Sequence, residues 1–410
     1  MASRTSPLSR RSFIAASAVG ATHVWVPNGA RGYTAAEIGA PGGVTGVSKW
    51  ELDTPALCVD LDALESNIRS MQSRLAARGL GARPHAKTHK TAAIAKLQMA
   101  AGALGICTSK VSEADALIAA GLDRVCMTTT NVSASKIRRA MQLRKRTPQF
   151  IQAVDDEQNA RDLSAAAREA GVTADVVIDI AVGTRSGIPA EGALALAQLV
   201  DRLPNLRLHG VLSYDGGAQH IAGFAARRTR TIENIAANVR AVEAMKRAGL
   251  STEIFSGGGT GTYNIQHEVP GFTDVQVGSY LFMDMQYLAI GSDDSDPVYK
   301  DFRRSLTVVG TVLNNRFPGR LTTDAGAKAL TLNVPRAGVV GEPGMDYNAG
   351  SDEFGVISFT EASRSYKIGD KLEMIVPHCD PVVNLYDQMY GIRMDKVEVV
   401  WPITARGKSQ

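Results

Sequence analysis

From about residue 48 onward, short apolar runs alternate with longer stretches whose apolar positions recur every three or four residues. Leu57-Cys58-Val59 reads as a strand, followed by an amphipathic helix from Asp62 to about Arg78. The pairing repeats: Gly105 to Thr108 precedes a helix through Ala119, and Val125 to Thr128 one from Ser133 to Leu143. Phe150 to Val154 precedes a helix from Asp156 to Ala170, and Asp175 to Ile180 one from Ala190 to Leu203. Leu208 to Ser213 leads into a long helix from Ala222 to Ala248, and Glu253 to Ser256 and Val275 to Val277 finish the series. Strands that alternate with helices in this way imply βαβ units and a parallel sheet. Seven or eight units over 48–300 predict an α/β fold, a closed (β/α)8 barrel, rather than an open sheet.

Beyond Arg303 the period changes. Ser305 to Leu313, Gly338 to Val340, Gly355 to Phe359, Lys371 to Val376 and Val397 to Val400 are β-branched runs separated by Gly, Pro and Asp. They predict a second, all-β domain over 301–405, with a weak helical signal only around Leu385. The first 32 residues differ from both. Ser9-Arg10-Arg11-Ser12-Phe13-Ile14 precedes a modest apolar stretch, Ala15 to Val26, and a Pro/Gly/Ala region ending near Ala30. Paired arginines before such a stretch resemble a twin-arginine export signal and predict a periplasmic protein, the other reading being a basic tail. The stretch is shorter than the roughly 20 residues of a transmembrane helix. No stable membrane anchor is therefore expected once the signal is removed.

Composition narrows the function classes. A formal charge of +4 over 410 residues is weak, and no Lys/Arg block sits among aromatics, so no nucleic-acid partner is expected. Cys58, Cys107, Cys126 and Cys379 are scattered without a CxxC pair, which argues against a zinc knuckle or a disulfide scaffold.

The candidate chemistry lies in the loops. Arg83-Pro84-His85-Ala86-Lys87-Thr88-His89-Lys90 follows an early barrel strand. A lysine there could act as a nucleophile if burial or the charge of His85, His89 and Lys90 kept its amine partly deprotonated. The plainer alternative is a solvated basic loop. Ser256-Gly257-Gly258-Gly259-Thr260-Gly261-Thr262 and Gly278-Ser279-Tyr280 follow the last two predicted barrel strands. Glycines let backbone N–H groups approach an anion, and loops at these strand ends recurrently hold phosphate. Arg185, just past a mid-barrel strand, could pair with a phenolate or carboxylate, or simply cap a helix. The spacing of a dinucleotide fingerprint is absent. In Val376-Pro377-His378-Cys379-Asp380-Pro381, read as extended, His378 and Asp380 share one face and Cys379 points away. One imidazole and one carboxylate suit Mn²⁺ or Mg²⁺ and would accept Zn²⁺, while a surface His-Asp pair is the alternative.

Thr54-Pro55-Ala56-Leu57, the 83–90 segment, Arg185, the 257–262 loop and Gly278-Ser279-Tyr280 together resemble the alanine-racemase-fold enzymes that use pyridoxal 5′-phosphate (PLP). The similarity runs from about Trp50 to Pro402 and is nearest to the branch of D-threonine aldolase, D-3-hydroxyaspartate aldolase and D-serine dehydratase. The resemblance implies a PLP barrel followed by a β-domain, a homodimer, and Lys87 as the lysine bonded to the cofactor. It implies Thr260, Gly278 and Ser279 at the phosphate, Arg185 at the phenolate and Tyr280 near the ring nitrogen. Tyr214 and His220 match a tyrosine and a histidine of the aldolase pocket, and His220 is the candidate base. Relatives often carry Gln where Ser109 stands and His where Phe354 stands, which puts carry-over at those two positions in doubt.

The resemblance also bears on the reaction. Dehydratases of this kind hold zinc through His-x-Cys, and the aldolases use His-x-Asp, as in His378 and Asp380 here. The expectation is a PLP- and divalent-metal-dependent carbon–carbon lyase that cleaves a D-β-hydroxy amino acid to glycine and an aldehyde. The alternatives are D-serine dehydratase-type elimination to a keto acid and ammonia, or an exported PLP- or amino-acid-binding protein without turnover.

Overall fold

The structure is a computed structural model and describes residues 45–294 and 296–410. The twin-arginine-type segment lies outside the described residues. The chain divides into two compact units. One holds residues 69–280, 289–301 and 407–410; the other holds the described residues up to Ile68 together with 281–288 and 302–406.

The chain begins with β1 (Ala56–Asp60) and α1 (Leu61–Ala76). Next come β2 (Gly81–Ala82), α2 (Ala92–Ala100), β3 (Ile106–Thr108), α3 (Val111–Ala119), β4 (Arg124–Met127) and α4 (Ala134–Arg146). They are followed by β5 (Gln149–Val154), α5 (Glu157–Ala170), β6 (Ala174–Asp179), α6 (Ala190–Arg202), β7 (Leu206–Ser213), α7 (Phe224–Arg247), β8 (Ile254–Gly257) and β9 (Asp274–Val275). Strands β2 to β9 form one parallel sheet in the order β2-β9-β8-β7-β6-β5-β4-β3. A parallel bridge between His85 and Cys107 joins its two edges and closes the barrel. β6 is buried at every position, as a strand covered on both faces must be. α5 shows why the outer helices form where they do. The Asp156 side chain caps its start, Ala160, Leu163 and Ala167 make the buried stripe, and left-handed Gly171 ends it. Cys107, Cys126, Ala153, Val177, Leu212 and Ile254 fill the interior.

The other unit continues with α8 (Met285–Leu288), β10 (Leu306–Asn314), β11 (Arg320–Thr323), α9 (Ala327–Leu330), β12 (Gly338–Val339) and β13 (Met345–Ala349). It ends with β14 (Gly355–Phe359), β15 (Lys371–Ile375), α10 (Cys379–Val383), β16 (Gln388–Arg393) and β17 (Lys396–Pro402). The sheet order is β11-β14-β13-β12-β15-β10-β1-β16-β17. A register shift between Val312 and Asn314 lets β10 pair with β11 as well, so the first six strands curl into a ring.

Two expectations need correction. The run Leu57-Cys58-Val59 is a strand, but it pairs with β10 and β16, not with the barrel. A short buried apolar run reads alike in either sheet, so its pattern cannot name its partner. The barrel's first strand is instead Gly81–Ala82, too short to show a period, and the barrel unit begins near residue 69 rather than 48. The weak helical signal expected around Leu385 lies earlier, at Cys379–Val383. No helix among the described residues is long and apolar enough to cross a membrane.

Candidate active site

Lys87 sits in a single 3-10 turn, Ala86–Thr88, at the C-terminal end of β2, where barrels of this kind carry their sites. His85 stays extended ahead of the turn, and its Nδ1 accepts the Lys87 N–H at 3.3 Å. The ring proton then belongs on Nε2, which donates to Thr128 Oγ1 at 3.2 Å, while that hydroxyl donates to Thr108 O. Burial, and after it the charge of Lys87, holds His85 well below the usual histidine range, so the imidazole is neutral. Lys90 is also not the loose positive neighbour that the sequence suggested. It adopts a left-handed conformation at φ +49° and pairs with buried Glu113 at 3.0 Å. The other Glu113 oxygen accepts the Ser109 N–H at 2.8 Å, and the Ser109 hydroxyl lies 3.4 Å from His85 Nε2. Ser109 thus belongs to the network that supports the lysine turn.

Two cations meet on Tyr214. Lys87 Nζ lies 5.9 Å and Arg185 Cζ 5.2 Å from its ring centroid, within cation–π range. Two carboxylates at neighbouring strand ends hold the Arg185 loop. Ser186 Oγ donates to Asp179 Oδ2 and Gly187 N to Asp155 Oδ2, each at 3.3 Å. Gly187 has φ +91°, and a Cβ there would lie 2.6 Å from Ala181 N, so the turn requires glycine. Burial and the neighbouring Asp155 charge push Asp179 up to about 7. A carboxyl raised on folding keeps its proton where the unfolded chain has lost it, so its contribution to stability falls as pH rises through this range. The melting temperature is therefore expected to carry a declining contribution between about pH 4 and 7 that Asp179→Asn removes. Calorimetry across that window checks this, and an unchanged slope in the variant contradicts it.

Both glycine-rich loops are buried. Several of their glycines serve the protein's own packing: a Cβ on Gly261 would lie 2.1 Å from Gln219 O, and one on Gly257 1.9 Å from Ser213 O. Gln219 threads this loop, its Oε1 accepting the Gly261 N–H and its Nε2 donating to Thr262 Oγ1. Gly278 lies against the lysine turn, where a Cβ would come within 2.5 Å of Thr88 Oγ1. The Tyr280 N–H donates to Thr260 Oγ1 at 2.9 Å, which fastens the two loops together. Among the described residues, the backbone N–H groups of Thr260, Gly278 and Ser279 have no acceptor. Buried donors of this kind almost always find a partner, and three of them beside two hydroxyls fit a phosphate. Tyr280 is fully buried, its hydroxyl accepts from Gln98 Nε2 at 3.0 Å, and burial raises its pKa. His220 is the exposed last residue of the turn Ala218–His220.

In the β-unit, extended backbone stops at His378, the residue just before α10, so Cys379 and Asp380 belong to a helix. The alternation argument for pairing His378 with Asp380 across an extended strand therefore does not hold. Ligand atoms of Asp284, His378 and Cys379 all lie within 4.8 Å of one another. Asp380 follows directly, its Oδ1 3.7 Å from Cys379 Sγ. Imidazole beside carboxylates suits a divalent ion. Asp284 escaped the sequence reading because its partners lie 94 and 95 positions away. Phe354 is half exposed just before β14.

The chain is similar to known proteins over most of its described length. Residues 59–286 match the alanine racemase N-terminal domain, and residues 305–392 a serine dehydratase domain. A 3-hydroxy-D-aspartate aldolase of Paracoccus denitrificans is 36% identical over 88% of this chain and 94% of its own. A D-threo-3-hydroxyaspartate dehydratase of Delftia sp. is 34% identical over 68% of this chain and 73% of its own. The crystal structure of D-threonine aldolase from Filomicrobium marinum superposes with a TM-score of 0.84 at 34% identity, covering 89% of this chain and 98% of that one. The chain belongs to the alanine racemase N-terminal domain family, in the branch that includes 3-hydroxy-D-aspartate aldolase and D-threonine aldolase.

Proposed function

We propose that this protein is a PLP- and divalent-metal-dependent aldolase that cleaves D-β-hydroxy amino acids, of the D-threonine or D-3-hydroxyaspartate type, to glycine and an aldehyde. The observation that carries this reading is the lysine turn at the end of β2 lying against the loop whose buried N–H groups lack acceptors. Thr260, Gly278 and Ser279 would hold the cofactor phosphate, Lys87 its carbonyl carbon, and Arg185 and Tyr214 the neighbouring ring substituents. Bound there, PLP supplies the electron sink that breaking a Cα–Cβ bond requires. His378 and Asp380 would hold a divalent ion, Mn²⁺ or Mg²⁺ with Zn²⁺ accepted, which supplies Lewis acidity toward a hydroxyl. His85, neutral and bonded to the Lys87 N–H, keeps the lysine turn in place. His220 is our candidate for taking the β-hydroxyl proton.

Incubation of the purified protein with PLP, Mn²⁺ and D-threonine is expected to release equimolar acetaldehyde and glycine, with D-serine run in parallel. Pyruvate from D-serine without any aldehyde from D-threonine would instead favour elimination. The buried Cys379 thiol in the metal-ligand group is the feature that supports that second reading. We further propose export to the periplasm through the Arg10-Arg11 signal, and a homodimeric assembly. Cell fractionation of a form with both arginines replaced by lysine tests the first, since retained export would count against it. Sedimentation at the mass of one chain would count against the second.

A further inference from the structure

Asp284 is fully buried and follows Met283, a non-glycine residue in the left-handed region at φ +54°. Backbone strain of this kind persists where surrounding contacts over-determine it. The contacts here converge on the Asp284 carboxylate. Oδ1 accepts the Tyr287 N–H at 2.9 Å and so caps α8. Oδ2 lies 2.9 Å from His378 Nδ1 and accepts the Cys379 N–H at 2.9 Å. A buried carboxylate that accepts from several N–H groups holds them firmly and has both oxygens engaged. An imidazole that donates from Nδ1 to a carboxylate has its lone pair on Nε2, with the ring plane fixed and its basicity raised.

We infer that Asp284 is a positioning residue of the metal centre. It fixes the tautomer and plane of His378 so that Nε2 is the ligand atom, and it does not bind the ion itself. Through the Cys379 N–H the same oxygen also fixes the first turn of α10, the turn that carries Asp380. This assignment rests on the reading that His378 holds a divalent metal.

Mn²⁺ titration followed by electron paramagnetic resonance, on PLP-loaded wild type, Asp284→Asn and His378→Ala, tests it. Asp284→Asn is expected to weaken Mn²⁺ binding by roughly 10–100-fold, the range typical of partners behind a metal ligand. His378→Ala should remove specific binding. If His378→Ala binds Mn²⁺ like wild type, the metal reading itself falls. If His378→Ala loses the ion while Asp284→Asn keeps full affinity, only the role of Asp284 falls. A loss in Asp284→Asn as complete as in His378→Ala would make Asp284 a ligand and overturn the positioning role. Nitrogen-15 NMR of histidine-labelled wild type provides a readout that needs no change at Asp284. His378, assigned by its disappearance in His378→Ala, should carry its proton on Nδ1, and the Nε2–H form would overturn the inference.

Discussion

Lys87→Ala is expected to abolish covalent attachment of PLP, with loss of the visible absorbance of the bound cofactor, and to lower turnover by roughly 10²–10⁴-fold or more. Several amines and imidazoles crowd this stretch, but their surroundings separate them. Lys90 is committed to Glu113 in a buried ion pair. His85 is buried, neutral and occupied at both ring nitrogens. Lys87 places its amine near the Tyr214 ring, which Arg185 also meets. Borohydride reduction of the PLP-loaded protein, followed by peptide mass mapping, should therefore label Lys87. A label on Lys90, or an unchanged absorbance in Lys87→Ala, would remove Lys87 from this role.

The parts of this site that the sequence announced are those where a residue type has little choice. A lysine among bases at a strand end and glycine clusters after the last strands could be read directly. Their reasons could not. The glycines were expected to admit an anion, yet Gly257 and Gly261 are required first by Ser213 O and Gln219 O, and unpartnered N–H groups remain at Thr260, Gly278 and Ser279. Pairing partners were equally hidden. β1 shows the apolar run of a barrel strand but lies between β10 and β16, because burial on both faces looks the same in either sheet. Around the candidate metal ligands one local signal is present. Pro381 falls in the first turn of α10, the part of a helix that tolerates proline, and so marks a helix start where an extended segment was expected. Asp284 had no local signal at all, since its role depends on a left-handed residue before it and partners nearly a hundred positions away.

Arg227→Met is expected to give the largest loss of stability, on the order of 2–5 kcal/mol, because each buried carbonyl left without a donor costs about 1–3 kcal/mol. Arg227 lies on α7 with no exposure, a placement rare for arginine unless its donors are satisfied. Its Nε donates to Gly261 O at 2.7 Å, Nη1 to Ile221 O and Ile290 O at 2.8 Å each, and Nη2 to Gly291 O at 3.0 Å. One guanidinium thus ties the glycine-rich loop to Ile221, after the turn Ala218–His220, and to the chain near residue 290. Methionine fills a similar volume but offers no donor, so the loss should come from the carbonyls of Gly261, Ile221 and Gly291 rather than from a cavity, Ile290 O keeping the Gly223 N–H. Gly261 is next to Thr260, so loosening it should also weaken PLP more than pyridoxal, which lacks the phosphate. Arg227→Lys keeps the charge with fewer, differently placed donors and should fall between the two. Calorimetric melting with and without PLP, alongside titration of both cofactor forms, separates the effects. Equal weakening of PLP and pyridoxal would mean that Arg227 supports the barrel in general and not the phosphate loop in particular.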